Sequence, residues 1–218
     1  MSYLLDPTNY NLTDSSSIPN LTVQHLIIVG ISMLLSLIVA IPIGIAVARY
    51  KKFYAPVITI AGILYTIPAL ALLGYLVPIT GLSLTTIIIP LFLYAQLALI
   101  RNTAAAINGI DPLLIEVGRS MGMTRLQVLF RVTLPLALPV IIAGIRVAMV
   151  TSIGIATLAS LAGSDSLGNL IFQGIANLQN DQVLAGAILI SLLAIVADLL
   201  LLAAQVGLNR GRGAVSIA

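Results

Sequence analysis

From Ser15 to Ala48 the chain reads SSSIPNLTVQHLIIVGISMLLSLIVAIPIGIAVA, without a single Asp, Glu, Lys or Arg. A bilayer core needs about 20 apolar residues in helical conformation, and this run supplies them with length to spare. Two further charge-free runs follow, Phe53 to Ile100 and Val147 to Ser164. All are continuously apolar rather than alternating at every second residue, which sets β-barrel strands aside. The rest of the chain agrees: of 218 residues, 60% are hydrophobic and 8% charged, with a mean hydropathy of +1.14. Soluble domains lie near about 45–50% apolar and about 25% charged. Too little polar surface remains to cover a globule in water. The chain therefore reads as an all-α membrane protein. Apolar runs between charges predict a five-span helical bundle, with spans near 22–48, 56–79, 83–100, 139–163 and 183–207 in one transmembrane domain over 1–218. Pro78, Gly81 and Pro112 are turn signals between or after spans.

The charges mark the span ends, and their sign decides the topology. Arg49, Lys51 and Lys52 follow the first span, Arg101, Arg119, Arg125 and Arg131 the third, Arg210 and Arg212 the fifth; only Arg146 lies elsewhere. Asp6, Asp14, Asp165 and Asp181 fall on the other face, which carries no basic residue. The positive-inside rule then sets the N-terminus outside and the C-terminus inside. The outer tail lacks a basic n-region and a small-residue cleavage site, so the first span reads as a retained anchor. Its two sequons, Asn11-Leu12-Thr13 and Asn20-Leu21-Thr22, read as part of a solvated tail. With no cysteine, disulfides and thiolate chemistry are excluded, and a single histidine, His25, does not make a metal centre. His25, near the outer end of span one, is expected to be an interfacial polar residue.

The longest inside segment, 101–138, is too organised for a connector. Asp111-Pro112 opens a helix as cap and first-turn proline, and Leu113, Leu114 and Val117 continue an apolar stripe. A turn signal follows at Gly122. From Thr124 a second helix is expected, with Leu126, Val128, Leu129 and Val132 apolar and Arg125 and Arg131 outward, until Leu134-Pro135 breaks it before the next span.

Glu116-Val117-Gly118, Gly122, Val132 and Leu134-Pro135 keep fixed spacing. In this register the loop resembles that of ATP-binding-cassette importer permeases, which reads E-A-A, three residues, G, nine residues, I-x-L-P. The departures are small or apolar residues for the same. Three stretches narrow the resemblance to the osmoprotectant branch, the glycine betaine, carnitine and choline permeases: YTIPALALLG over 65–74, the region 107–139, and GIATLASLAG over 154–163 leading to Leu167-Gly168. Where that branch is more glycine-rich, this chain has Ser164-Asp165-Ser166.

The resemblance implies a multi-pass subunit of the bacterial cytoplasmic membrane, with the bundle of a type I importer permease. It implies alternating access driven by two ATPase subunits that carry ATP and Mg2+, beside a second permease, identical or paralogous, and an extracytoplasmic solute-binding protein. It assigns ATPase docking to Asp111, Glu116, Val117, Gly118, Gly122, Leu134 and Pro135. Gly118 and Gly122 share a helical face for close backbone approach, or Gly122 ends the helix. Glu116 is available to a basic residue on the partner, or to Arg119 three residues on.

The chain itself lacks a G-x-x-x-x-G-K-[ST] phosphate loop, since its only lysines are Lys51 and Lys52 and no glycine pattern precedes them. No catalytic residue, cofactor or nucleic-acid partner is expected in it. It has no tryptophan for an aromatic cage. Small residues recur every four positions at Gly144, Ala148, Ser152, Ala156 and Ser160, and again at Ala40, Gly44 and Ala48, a pattern suited to helix packing or to a subunit interface. Pro68 and Pro90 remove backbone hydrogen bonds mid-span and are expected to kink their helices. Pro68, with the hydroxyls of Thr151, Ser152 and Thr157, is a candidate for the translocation path. Arg146 and Asp198 fall within spans, about 10 Å and about 15 Å from the inner ends, depths that allow pairing. Three alternatives remain: an importer for another small solute such as an amino acid, a proton-coupled secondary transporter using Asp198, or a non-transporting membrane scaffold.

Overall fold

The structure is a computed structural model that describes residues 2–210; Arg212 of the inner basic set lies outside the described residues. Helices α1 (Ser2–Leu5), α2 (Ile18–Arg49), α3 (Tyr54–Thr66), α4 (Ala69–Thr80), α5 (Leu84–Asn108), α6 (Pro112–Ser120), α7 (Arg125–Val128), α8 (Leu134–Ile155), α9 (Gly168–Ala176) and α10 (Asn180–Arg210) follow in order, and no strand occurs among the described residues. Four helical stretches are long and apolar enough to cross a bilayer, and α3 with α4 forms a broken fifth. The centre is α5, against which α2, α3, α4 and α8 pack, while α10 lies outside α8 and α9.

The small-residue stripes explain the packing. A Cβ at Gly44 would stand 2.5 Å from the Cβ of Thr103, and one at Gly144 would stand 2.4 Å from the Cβ of Asn102, so both α2 and α8 approach α5 at backbone distance. Gly144, Ala148, Ser152 and Ala156 are buried against this centre, as are Ala40, Gly44 and Ala48. The stripes therefore serve packing within the subunit. Few residues of α10 are fully buried, although one face of it packs on α8 and α9.

Several expectations are corrected. Span two is not a kinked helix: α3 and α4 meet at 85°, with Ile67 and Pro68 extended between them. Pro78 lies within α4 and the chain turns at Gly81, whose φ of 72° is left-handed. Arg101 lies inside α5, which runs on to Asn108 rather than ending at the membrane. Leu134-Pro135 does not break the helix after the loop. The apolar helix runs without interruption from Arg125 to Ala162, because Leu129–Thr133 widens into a π segment in which Leu134 donates its N–H to the Leu129 carbonyl. Such a widening absorbs the hydrogen bond that Pro135 cannot make. His25 is not interfacial: it is fully buried, with Nε2 3.0 Å from the carbonyl of Ile153.

Helix α9 carries no signal in the reading of spans. It rests on Gly168, where a Cβ would stand 1.9 Å from the Thr157 carbonyl oxygen. The side chains of 164–166 make the turn before it: Ser166 Oγ accepts from the Gly168 N–H, and Asn169 donates to Asp165 at 2.7 Å while accepting from the Ser166 N–H. Side-chain bonds here do the work that flexible glycines do elsewhere.

The charge pattern has a spatial counterpart. Arg49, Arg119 and Arg125 line one cavity, which puts the end of α2, α6 and α7 at one end of the bundle. Asp6, beside Tyr3 and Asn9, lines another with Gln179 to Gln182 at the start of α10, at the end where α2 begins.

Candidate functional site

The loop at the basic end folds into a helix, a turn and a helix, each built by local chemistry. Asp111 accepts from the Leu113 N–H at 2.9 Å, capping α6, and Pro112 occupies its first turn. A side-chain acceptor at this place satisfies one of the N–H groups a helix start leaves bare. At the other end Gly122 N–H donates to the Arg119 carbonyl and Met123 N–H to the Gly118 carbonyl, and Gly122 has φ of 79°. That is the Schellman ending, which settles Gly122 as the residue that closes the helix. Thr124 and Gln127 then form a reciprocal capping box that starts α7.

Gly118 is the buried residue of α6. A Cβ there would lie 3.6 Å from Met123 Sδ, Val128 and Val132, ordinary contact distances, so an alanine fits. Val132 thus packs under the loop helix, a physical reason for the spacing between Gly118 and Val132. Glu116 and Val117 point outward and are exposed. No ion pair joins Glu116 to Arg119 among the described residues. Around them Leu113, Leu114, Met121, Leu126 and Phe130 are also exposed, Met121 at 72%. An apolar patch on an otherwise polar end of the molecule is a contact surface waiting for a partner. Beside it lies the three-arginine cavity of about 530 Å³. Leu134 and Pro135 stand behind this surface, with Leu134 half-buried against the cluster of Ala106, Ala137 and Ile141.

Within the spans, Arg146 and Asp198 meet in a two-pronged pair: Nε donates to Oδ1 and Nη2 to Oδ2, each at 2.8 Å, and Nη1 donates to Gln205 at 3.1 Å. Gln205 carries no signal of its own in the sequence beyond its place two helical turns from Asp198 on the same face of α10. The remaining path candidates do not converge. Ser152 is buried, whereas Thr151 and Thr157 each donate to a carbonyl of their own helix, Val147 and Gly154. Pro68 stands at the break between α3 and α4, where the Tyr94 hydroxyl donates to the freed Ile67 carbonyl at 2.6 Å. Tyr65, Tyr94, Arg101, Asn102 and Thr151 share a cavity of about 240 Å³ beside that break. Neither tyrosine was singled out as a path residue; both lie on faces that meet at the break.

A bundle of long and broken apolar helices, carrying an ordered and unpartnered helix-turn-helix at its basic end, defines the membrane component of a multi-subunit transport system. Residues 40–210 match the family described as binding-protein-dependent transport system inner membrane component, and the chain belongs to it. It is 41% identical over 203 residues to the carnitine transport permease protein OpuCD of Listeria monocytogenes, covering 92% of this chain and 91% of the relative. It is 43% identical over 180 residues to the glycine betaine/carnitine/choline transport system permease protein OpuCD of Bacillus subtilis, covering 82% and 78%. The osmoprotectant import permease protein OsmW of Salmonella typhimurium is 39% identical over 210 residues, with 94% and 98% covered. Among solved structures, an inward-facing form of the MetNI methionine ABC transporter aligns with TM-score 0.68 and 25% identity, over 83% of this chain and 92% of that one. The fold is that of a type I importer permease, and its place is the bacterial inner membrane.

Proposed function

We propose that this chain, as one transmembrane domain over 1–218, is the subunit through which an ATP-driven importer passes quaternary-ammonium osmoprotectants such as glycine betaine, carnitine or choline. The observation that carries the reading is near-full-length identity of about two residues in five to permeases so named. Two such permeases, identical or paralogous, enclose the path. Each presents α6 to one of two ATPase subunits, which hold ATP and Mg2+, and a binding protein delivers solute at the outer face. The N-terminus is outside, as the basic cavity at one end of the bundle and the acidic tail at the other support.

Docking is assigned to Glu116 and Val117 on the exposed face of α6. Asp111, Gly118 and Gly122 shape that helix, and Leu134-Pro135 joins it to the spans. A rigid α6 moved by closing ATPases then tilts the continuous helix from Arg125 to Ala162. Pro68 and Thr151 border the path, while Ser152 and Thr157 support its walls. Arg146 and Asp198 neutralise each other and hold α8 to α10.

Import of labelled glycine betaine, carnitine and choline into vesicles holding the complete transporter tests this directly. ATP-dependent uptake of at least one is expected. Uptake of an amino acid alone would transfer the reading to the other-solute importer, and uptake driven by a pH gradient without ATP to the proton-coupled transporter.

A further inference from the structure

We propose that the cavity between α3, α5 and α8 is a transit site for the cargo. There the Tyr65 ring, braced by Tyr94, faces the quaternary ammonium head and the Arg101 guanidinium takes the carboxylate of zwitterionic cargo. This rests on the osmoprotectant reading above and names the site that reading leaves open.

Four observations carry it. The rings of Tyr65 and Tyr94 meet edge to face, with centroids 5.8 Å apart and planes at 83°. Tyr94 is buried and anchored through its hydroxyl to Ile67, whereas Tyr65 is 45% exposed and lies open on the cavity. Aromatic faces attract a cation that cannot donate hydrogen bonds; Tyr65 offers the open face, and the buried Tyr94 ring, packed at a right angle to it, holds that face in place. Arg101 lines the same cavity with no ion-pair partner among the described residues. At the inner end of its span this exposed guanidinium is available to an anionic group that enters the cavity.

The geometry matches the cargo. Arg101 follows Tyr94 by two turns of α5, about 10 Å toward the inner end. A solute with a cationic head and an anionic tail thus meets a complementary group at each end of the cavity. The volume of about 240 Å³ suits a small compact solute. One open ring, rather than a closed cage, holds the head weakly enough for release, which passage requires. The site also sits beside the 85° break of α3 and α4. A change of angle there moves Tyr65 relative to Tyr94, which is fixed on α5, and so opens or closes the ring pair as access alternates.

The test uses the complete transporter in vesicles, with loaded binding protein limiting. Initial import of glycine betaine, carnitine and choline is compared for Tyr65→Leu, Tyr65→Phe, Arg101→Gln and, as a control, Tyr75→Leu on the exposed face of α4. Assembly is measured by the amount of ATPase subunit retained. Tyr65→Leu is expected to slow import of every quaternary amine about fivefold or more. Tyr65→Phe, which keeps the ring, loses much less, and Tyr75→Leu leaves import unchanged. Arg101→Gln slows glycine betaine and carnitine more than choline, which lacks the carboxylate. Import indifferent to Tyr65→Leu in an assembled complex overturns the ring site, and equal loss of all three amines in Arg101→Gln overturns the carboxylate assignment. Absence of quaternary-amine import by the unmodified complex overturns the cargo reading itself.

Discussion

The proposed docking surface is probed most simply at Glu116, which is exposed on α6 and makes no ion pair among the described residues. Reversing its charge with Glu116→Arg leaves no buried group unpaired, so folding is expected to be unaffected while ATPase recruitment falls. Retention of the ATPase subunit on the purified chain measures it. Gly122 behaves differently: its left-handed φ of 79° makes Gly122→Ala strained by about 1–2 kcal/mol. By contrast Gly118→Ala is expected to be tolerated, since a Cβ there meets only ordinary contacts at 3.6 Å. Thermal unfolding of the two glycine variants should separate them in that order. Asp198→Asn removes the carboxylate charge from two guanidinium bonds and a third group, Gln205, that shares the arginine. A loss of stability is expected, with ATP-driven import surviving in the assembled fraction. Preserved stability with lost pH-driven uptake would instead mark Asp198 as a proton carrier.

At the scale of elements, the outer tail responds to pH. Asp6 accepts from the Thr8 N–H and hydroxyl, and Asp14 from those of Ser16, and these bonds hold both carboxyls below the usual carboxylate range. A lowered folded-state value means that the stabilisation is complete above the ordinary carboxylate range and is lost as pH falls through the lowered one. Amide protection at Thr8 and Ser16, corrected for intrinsic exchange, should therefore decline only at pH below about 4. The elements themselves were legible to different degrees. Caps at Asp111 and the stop at Gly122 are local chemistry and could be read directly, as could long charge-free helices. The break at Ile67-Pro68 could not be distinguished from a kink, because proline removes the same hydrogen bond in both. What decides between them is a partner for the freed carbonyl, the Tyr94 hydroxyl from another helix. Leu134-Pro135 misled for the converse reason: a π segment one turn earlier absorbs the proline. Helix α9 depends on a close approach of Gly168 to the Thr157 carbonyl, and the burial of His25 on Ile153, 128 positions away. Of the site, the loop was readable because its register is local, whereas the Tyr65–Tyr94 pair exists only once α3 has folded against α5.

For the whole molecule, function follows from an asymmetry between its ends. One end carries the acidic tail and the turn before α9. The other carries three arginines around a cavity and an apolar helix surface that is exposed among the described residues. The continuous helix from Arg125 to Ala162 connects that surface to the centre of the bundle. In the proposed mechanism, this helix carries motion from the basic end to the spans. The most direct test is purification of the tagged chain from its native membrane in mild detergent, beside Glu116→Arg, with identification of what accompanies each by mass spectrometry. The account predicts an ATPase subunit with the native chain and its depletion from the variant. Recovery of the native chain alone, under conditions that keep other membrane complexes intact, would contradict it.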